Sequence, residues 1–335
     1  MKAIACVHPG LPIDDPQSLV EIDLPVPRPG PRDLLVRVQA VSVNPVDTKV
    51  RASASAAAPR VLGWDAVGTV QAVGAAVTLF RPGDEVFYAG AIDRHGSNAE
   101  YQLVDERIVG RKPRSLDAAQ AAALPLTAIT AWELLFDRLG VPEGGGAGQS
   151  LLIVGAAGGV GSMLTQLARR LTQLTVIGTA SRPETADWVR GLGAHHVVDH
   201  GQPLAAGLAG TGVPQVDLVA SLTHTEHHYA QLVEALRPQG RLALIDDPAA
   251  LDVRALKNKS LSLHWEFMFT RSQHQTTDMA RQHALLDRVA ALVDAGTLRT
   301  TLGTHLGTID AANLRRAHAL VETQHARGKV VLAGF

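Results

Sequence analysis

The start of the chain alternates between apolar and polar positions. In LLVRVQAVSV (34–43), Val36, Val38 and Ala40 fall on one face and Arg37 and Gln39 on the other, which is the period-two pattern of a half-buried strand. VGTVQAVG (67–74), DEVFYAG (84–90) and AEYQLVD (99–105) continue it, separated by turns such as RPGD (81–84). Short strands at this spacing predict a compact β-barrel or sandwich. AAQAAALPLTAITAWELL (118–135) then predicts a helical stretch interrupted at Pro125, and VPEGGGAGQS (141–150) a turn-rich connector.

Beyond the connector the period changes. LLIVGA (151–156) is a continuous apolar strand, and Val160, Met163, Leu164, Leu167, Ala168 and Leu171 follow at the spacing of a buried helical stripe. LTVIGTAS (174–181), HHVVDH (195–200), VDLVASL (216–222) and GRLALID (240–246) read as further strands, with helices expected near 183–192 and 225–237. Strand–helix alternation implies a parallel sheet covered on both faces. SLHWEFMFTR (262–271) predicts a late strand with Trp265, Phe267 and Phe269 on one face. The tail predicts a capped helix over 276–296 and a last strand over 329–335. The fold class is therefore α/β with a separate β-rich part, in two domains, as 335 residues suggest.

Composition narrows the function. Apolar residues are 46% and charged residues 19% of the chain, ordinary for a folded soluble protein. A formal net charge of −1 gives no reason to expect nucleic acid or an anionic membrane as partner. From the sequence, no apolar run is expected to reach the ~20 residues of a membrane span, and MKAIACVHPG lacks the apolar core of a secretory signal. Cys6 is the only cysteine, which leaves no intrachain disulfide and no multi-cysteine metal site. The expected compartment is the cytoplasm and the expected partner a small-molecule substrate.

The richest chemistry lies in LLIVGAAGGVGSMLTQLAR (151–169), a strand running into a glycine turn that opens a helix. The unpaired N–H groups of such a helix start, here about Gly158, Gly159 and Val160, suit a pyrophosphate. Gly158 lets backbone approach the phosphates and Gly161 allows close helix–strand packing, while Ala156 stands where the usual fingerprint has its first glycine. The alternative is an ordinary tight turn. The next strand ends in GTASRPE, with Ala180 where an NAD-preferring site carries an acid. Ser181 and Arg182 offer a hydroxyl and a guanidinium to a 2′-phosphate instead, so NADPH is expected. The alternative makes Arg182 a solvated helix-start residue.

VSVNPVDTKVR (41–51), RPGDEVFYAG (81–90), GSNAEYQLV (96–104), LPLTAITAWELL, GAAGGVG and RGKVVL (327–332) together resemble the medium-chain dehydrogenase/reductase superfamily, most of all its quinone oxidoreductase branch and the related zinc-type alcohol dehydrogenase-like proteins. The resemblance covers nearly the whole chain. It implies a GroES-like β-rich catalytic domain (1–123 and 271–335), a Rossmann doubly wound domain (124–270), hydride transfer between them, and a homodimer. It also implies cofactor contacts from Thr127, Thr130 and Lys329. In zinc-using members the ligands are two cysteines and a histidine followed by glutamate. Those positions fall here on Asn44, near Leu126, and on Trp64-Asp65 in VLGWDAVGTV (61–70). Asparagine, leucine and tryptophan offer no thiolate or imidazole, so no zinc is expected. His224, His227 and His228 in THTEHH are the only other cluster, read as helix surface.

Without a Lewis acid, alcohol oxidation is disfavoured and a conjugated acceptor, a quinone or α,β-unsaturated carbonyl, is the better substrate class. Asn44 is the first candidate for a polar group beside nicotinamide or substrate; the alternative is an asparagine stabilising the turn before Pro45. Tyr88 is a candidate proton donor, or else a core tyrosine. Asp47 and Arg51 are expected to pair with each other. Trp64 is expected to fill space, and Asp65 to be held by a cation or backbone N–H groups. Competing readings are a zinc alcohol dehydrogenase and a nucleotide-binding protein without catalysis.

Overall fold

The computed structural model describes residues 1–53 and 59–335. Of the small-residue loop 52–60, expected to border the site, residues 54–58 lie outside the described residues. The chain forms two units, Met1–Ile129 with Phe269–Phe335, and Thr130–Met268. The sequence placed the first junction at 123/124. The structure moves it because the Leu126 N–H donates to Asp65 Oδ1 (2.7 Å), which holds this helix start on the first unit.

The first unit opens with strands β1 (Lys2–Cys6), β2 (Val20–Asp23) and β3 (Asp33–Val43), helix α1 (Pro45–Ser53), and strands β4 (Arg60–Val61), β5 (Ala66–Val73), β6 (Glu85–Tyr88), β7 (Tyr101–Asp105) and β8 (Val109–Arg111). Helices α2 (Ala118–Ala122) and α3 (Pro125–Trp132) follow, split before Pro125 as the ring requires. A π-helical turn over Glu133–Arg138 extends the second of them. Together, Ala118–Arg138 is long and apolar enough by length and composition to cross a membrane, contrary to the sequence reading, yet 78% of its most apolar stretch is buried in the protein.

The second unit holds β9 (Ser150–Val154), α4 (Gly159–Leu171), β10 (Thr175–Thr179), α5 (Pro183–Gly191), β11 (His196–Val198), α6 (Leu204–Gly210), β12 (Val216–Ser221), α7 (Thr225–Ala235), β13 (Leu236–Leu244) and β14 (Ser262–Trp265). The chain then returns to the first unit with α8 (Thr270–Gln273), α9 (Arg281–Asp294), β15 (Leu302–His305), α10 (Ala311–Glu322) and β16 (Lys329–Ala333). Helix α9 begins later than the expected 276, because Asp278 is engaged by Arg271 (2.9 Å) and Thr276 (2.7 Å) in the turn before it.

In the first unit a seven-stranded sheet runs β15-β16-β3-β5-β6-β8, with β7 also on β3, and a small sheet runs β2-β1-β4. Strand β3 is the seam: it pairs antiparallel with β5, β7 and β16. Val36, Val38 and Ala40 are buried and Arg37 and Gln39 exposed, as their alternation requires.

In the second unit all six strands are parallel in the order β11-β10-β9-β12-β13-β14. The order reverses between β9 and β12, and ligands of such sheets bind beyond the strand C-termini at that reversal. Met163, Leu164, Leu167 and Ala168 of α4 are fully buried, while Val160 and Leu171 at its ends are half-buried. The core beneath α6 and α7 is apolar, built from Leu152, Ile177, Leu204, Leu208, Val219 and Leu232 among others. Strand β14 stops at Trp265, so the expected shared face of Trp265, Phe267 and Phe269 does not form. Trp265 and Phe267 are exposed, and Phe269 is buried in the first unit.

Candidate functional site

In the second unit the glycine turn links β9 to α4. Gly155, not Ala156, takes the left-handed conformation (φ 78°), which is why alanine is accepted at the next, fully buried position. A Cβ on Gly161 would lie 2.4 Å from the Gly155 carbonyl oxygen and 2.6 Å from Ala156 Cα, so α4 can pack on the turn only with glycine there. A Cβ on Gly158 would meet nothing nearer than the Gly155 oxygen at 3.5 Å. Gly158 is therefore not fixed by internal packing, and it caps α4 without a side-chain bond. Gly159 and Val160 form the first turn of the helix, half-buried. Their N–H groups have the positive end of the helix dipole behind them, which favours an anion.

Ala180 sits at the end of β10, its N–H bonded to the Val198 carbonyl (3.0 Å). Ser181 is exposed, and Arg182 Nε lies 3.1 Å from Glu184 in a partly exposed pair. No acidic residue occupies the first positions after the strand, where a carboxylate would repel a 2′-phosphate. Thr130, the first residue of this unit, is 5% exposed.

In the first unit the positions where the resemblance puts zinc ligands do converge, and what they surround is a carboxylate. Asp65 Oδ2 accepts from Ser42 Oγ (2.8 Å) and Asn44 Nδ2 (2.8 Å), and Oδ1 accepts from the Leu126 N–H (2.7 Å). Lys329 Nζ stands 3.1 Å from the same Oδ2, and donates to Asn44 Oδ1 (2.5 Å) and to the Val43 carbonyl (2.9 Å). Every member is buried. Asp65 thus gains both the cation and the backbone N–H expected for it.

Burial pushes the Asp65 carboxyl up and the Lys329 ammonium down, while their mutual attraction and the hydrogen bonds pull each back. Donors from every side leave the carboxylate as the form of Asp65 that satisfies all its neighbours. Next to it, Asp47 Oδ2 accepts the Asn44 N–H (2.8 Å) and Oδ1 has no partner among the described residues. Burial pushes Asp47 up to about 7, against the pull of the Asn44 N–H and of Lys329. The proton Asp47 holds near neutrality keeps the cluster close to charge balance.

Four expectations change here. Asn44 has its carboxamide engaged at both ends, by Asp65 and Lys329, and is 1% exposed, so it orients the cluster and does not present a polar group outward. Lys329 is 3% exposed, and its ammonium is engaged inward by Val43, Asn44 and Asp65, where the resemblance implied a cofactor contact. Tyr88 is fully buried in β6, its hydroxyl has no hydrogen-bond partner among the described residues, and burial alone pushes its pKa well above the ordinary phenol range. That is a core tyrosine, a poor proton donor. Asp47 and Arg51 do not pair: Arg51 lies against Glu322 (2.5 Å) and donates to the Leu11 carbonyl (2.5 Å).

Thr127 is 2% exposed and donates to the Leu124 carbonyl (3.0 Å), a bond back to the turn at the helix start. Trp64 is fully buried. Its Nε1–H donates to the Ala91 carbonyl (3.2 Å) and its ring meets Phe269 edge-on at 6.3 Å. One feature escaped the sequence reading. Glu133 in the π-helical turn and Glu266 after β14 are both buried; burial and the charge of Glu133 push Glu266 up to about 9, with Arg138 Nε at 2.8 Å from Glu266 Oε2. No local signal in the sequence pairs residues so far apart.

These residues do not make a zinc site. A buried ammonium stands where a metal ion would need room, and the donors are an amide, a backbone N–H and one carboxylate, without thiolate or imidazole. Among the described residues no group of three or more His, Cys, Asp or Glu side chains is arranged to hold a metal.

The first unit matches the family described as alcohol dehydrogenase GroES-like domain over residues 30–114, and residues 192–332 match the family described as zinc-binding dehydrogenase. A zinc-type alcohol dehydrogenase-like protein of Staphylococcus aureus (strain MSSA476) is 43% identical over 312 residues, covering 91% of this chain and 92% of its own. The quinone oxidoreductase of Lama guanicoe is 29% identical, covering 93% and 92%. Among solved structures, a protein of Rhizobium etli CFN 42 provisionally described as a zinc-dependent alcohol dehydrogenase superposes with a TM-score of 0.96 at 58% identity, covering 100% of this chain and 98% of the other. With its β-rich GroES-like unit, its parallel nucleotide-binding sheet and its glycine turn, the chain belongs to the medium-chain dehydrogenase/reductase superfamily of nicotinamide-dependent oxidoreductases, on the quinone oxidoreductase side.

Proposed function

We propose that the chain is a zinc-independent, NADPH-dependent reductase of quinones or α,β-unsaturated carbonyls. The observation that carries this is that Asn44 and Asp65, at positions where the resemblance puts the zinc-ligand motif, are closed by the Lys329 ammonium. A secondary alcohol needs a Lewis acid or a positioned general base to release its hydroxyl proton, and this buried, mutually bonded cluster presents neither. A conjugated acceptor delocalises the incoming charge onto its own oxygen, where water or a hydrogen-bond donor suffices to protonate it.

NADPH, when bound, supplies the hydride. The roles of the chain are to hold its pyrophosphate on the Gly158–Gly161 turn and its 2′-phosphate against Ser181 and Arg182. The edge position of β14, with Trp265 51% and Phe267 44% exposed beyond it, supports a second copy of the chain as partner.

The test follows loss of the nicotinamide absorbance against a panel of quinones, enals and secondary alcohols, with NADPH and with NADH, before and after chelation. Turnover of quinones or enals with NADPH, unaffected by chelator, is expected. Alcohol oxidation that chelation abolishes would overturn the proposal. Arg182→Ala is expected to weaken NADPH about tenfold or more, the loss of one charged hydrogen bond, and to leave NADH unchanged.

A further inference from the structure

Four histidines gather at the C-terminal edge of the parallel sheet, and the proposed chemistry does not use them. His200 follows β11, while His224, His227 and His228 open α7 after β12. Rings of His227 and His228 lie 4.8 Å apart, and His228 meets His200 edge-on at 6.2 Å. The cluster is wired to the glycine turn: Thr179 Oγ1 accepts the Gly155 N–H (3.2 Å) and lies 3.2 Å from His200 Nδ1. The Thr179 hydroxyl has a second lone pair as well as its proton, so it joins His200 Nδ1 to the glycine turn whichever ring nitrogen carries the proton. Thr179 immediately precedes Ala180, the position from which the 2′ substituent of a dinucleotide is read.

Two further observations point to a ligand. His228 is 6% exposed and its Nδ1 has no hydrogen-bond partner among the described residues, which is costly for a buried polar atom. His224 caps α7 in the left-handed conformation (φ 51°), bonded to Thr223 Oγ1 (2.8 Å), and backbone held this way clusters at ligand clamps.

We propose that His200, His224 and His228 form a pocket that takes up a proton as it receives the 2′-phosphate of NADPH, so that cofactor preference strengthens as pH falls. This rests on the NADPH reading above. In the free protein burial, and then the neighbouring imidazoles, push His228 down; burial likewise pushes His200 down, with Asp199 opposing. The other charged groups about the cluster are Arg182 paired with Glu184 after β10, Glu226 and His227 on α7, and Asp246 after β13, already bonded to the Thr225 N–H and hydroxyl (2.8 and 2.5 Å). Asp247 follows it. No carboxylate bonds the imidazoles among the described residues, so a dianionic phosphate would be the counter-charge that lets one of them ionise.

The experiment is calorimetric titration of NADPH and of NADH at pH 7 in two buffers of different ionisation enthalpy, which counts protons exchanged on binding. Net proton uptake with NADPH and none with NADH is expected; a phosphate that titrates by itself on meeting a cationic site releases protons, so the sign separates the two. The NADPH Kd is expected to rise about tenfold from pH 6 to pH 8, the equivalent of one unit of histidine pKa. His200→Asn should remove most of the uptake and flatten that rise, and His224→Asn, which tolerates the left-handed backbone, should reduce both. NADPH preference without uptake, or uptake unchanged in both variants, overturns the inference alone. Equal affinity for NADPH and NADH at every pH from 6 to 8 overturns the NADPH reading and the inference with it.

Discussion

In the β-rich unit the polar side chains around Trp64-Asp65 face one another, whereas in the nucleotide unit Ser181 after β10 is exposed and the first turn of α4 after β9 is half-buried. Ser42, Asn44, Asp65 and Lys329 engage one another almost completely below 5% exposure. Ser181 and the α4 N-terminus keep their donors for something else. The difference teaches that burial decides whether polar groups satisfy one another or stay accessible. The cluster about Asp65 has closed into a structural knot, and the accessible polarity lies at the glycine turn and after β10. Glu133 and Glu266 show that burial of charge is not confined to the first unit; there the balance is reached by a shared proton and Arg138.

The strongest way to break this comparison is to remove the internal cation. Lys329→Met leaves the Asp65 carboxylate buried without its counter-charge and is expected to cost about 3–5 kcal/mol, read from the urea midpoint. Lys329→Met with Asp65→Asn should recover a large part, since an amide needs no counter-ion. A single-variant loss below about 1 kcal/mol would place the pair with solvent-screened surface bridges and refute the knot.

The same cluster should make stability pH-dependent, with a defined sign. Asp47 is raised from its ordinary 3.8 to about 7, so the folded state binds its proton more tightly than the unfolded chain does. Its contribution is fully present below about pH 4 and is lost as pH rises towards 7, at up to about 1.4 kcal/mol per unit. Asp65, also raised, acts in the same direction. Asp47→Asn is expected to flatten the urea midpoint over that window relative to the parent. An unchanged slope would mean that other groups set it.

How much of this could be read in the sequence depended on the range of the interaction. Strand β3, the glycine turn and α4 announce themselves because their patterns are local: alternation in 34–43, and a strand, turn and helix in fixed order over 151–169. Asp65 was legible as a charge needing a partner, yet its partner Lys329 is 264 residues away, and no pattern of period or spacing joins them. The inward bonding of Asn44 and Lys329 was hidden for that reason. Residue type suggested outward chemistry, and only the folded neighbourhood shows that the donors of Asn44 and Lys329 point inward. The short β1, β2 and β15 carry too few residues to show a period, and the π-helical turn hides inside a helical composition.

In the nucleotide unit two glycines separate packing from binding. Gly161→Ala forces a Cβ to 2.4 Å from backbone, an overpacking expected to cost about 1–3 kcal/mol and to weaken NADPH and NADH alike. Gly158→Ala has room and an ordinary backbone conformation, so its stability should stay within about 0.5 kcal/mol of the parent while affinity for both cofactors falls. Full binding by Gly158→Ala would mean that the open face of the turn does not receive the pyrophosphate.

Tyr88 gives the smallest effect on stability and a sharp choice between roles. Its ring is core and its hydroxyl is a buried donor without a partner among the described residues, so Tyr88→Phe removes a desolvated polar atom while keeping the shape. The variant is expected to be as stable as the parent or more so, by about 1 kcal/mol at most. Turnover should be unchanged, because a hydroxyl buried this completely, with its proton held more tightly than a free phenol's, has no acid–base work to perform. A general acid lost at this position would instead lower kcat by about a hundredfold or more with little change in stability. That result would return Tyr88 to the chemistry and show that the inward-facing unit keeps one group for the reaction.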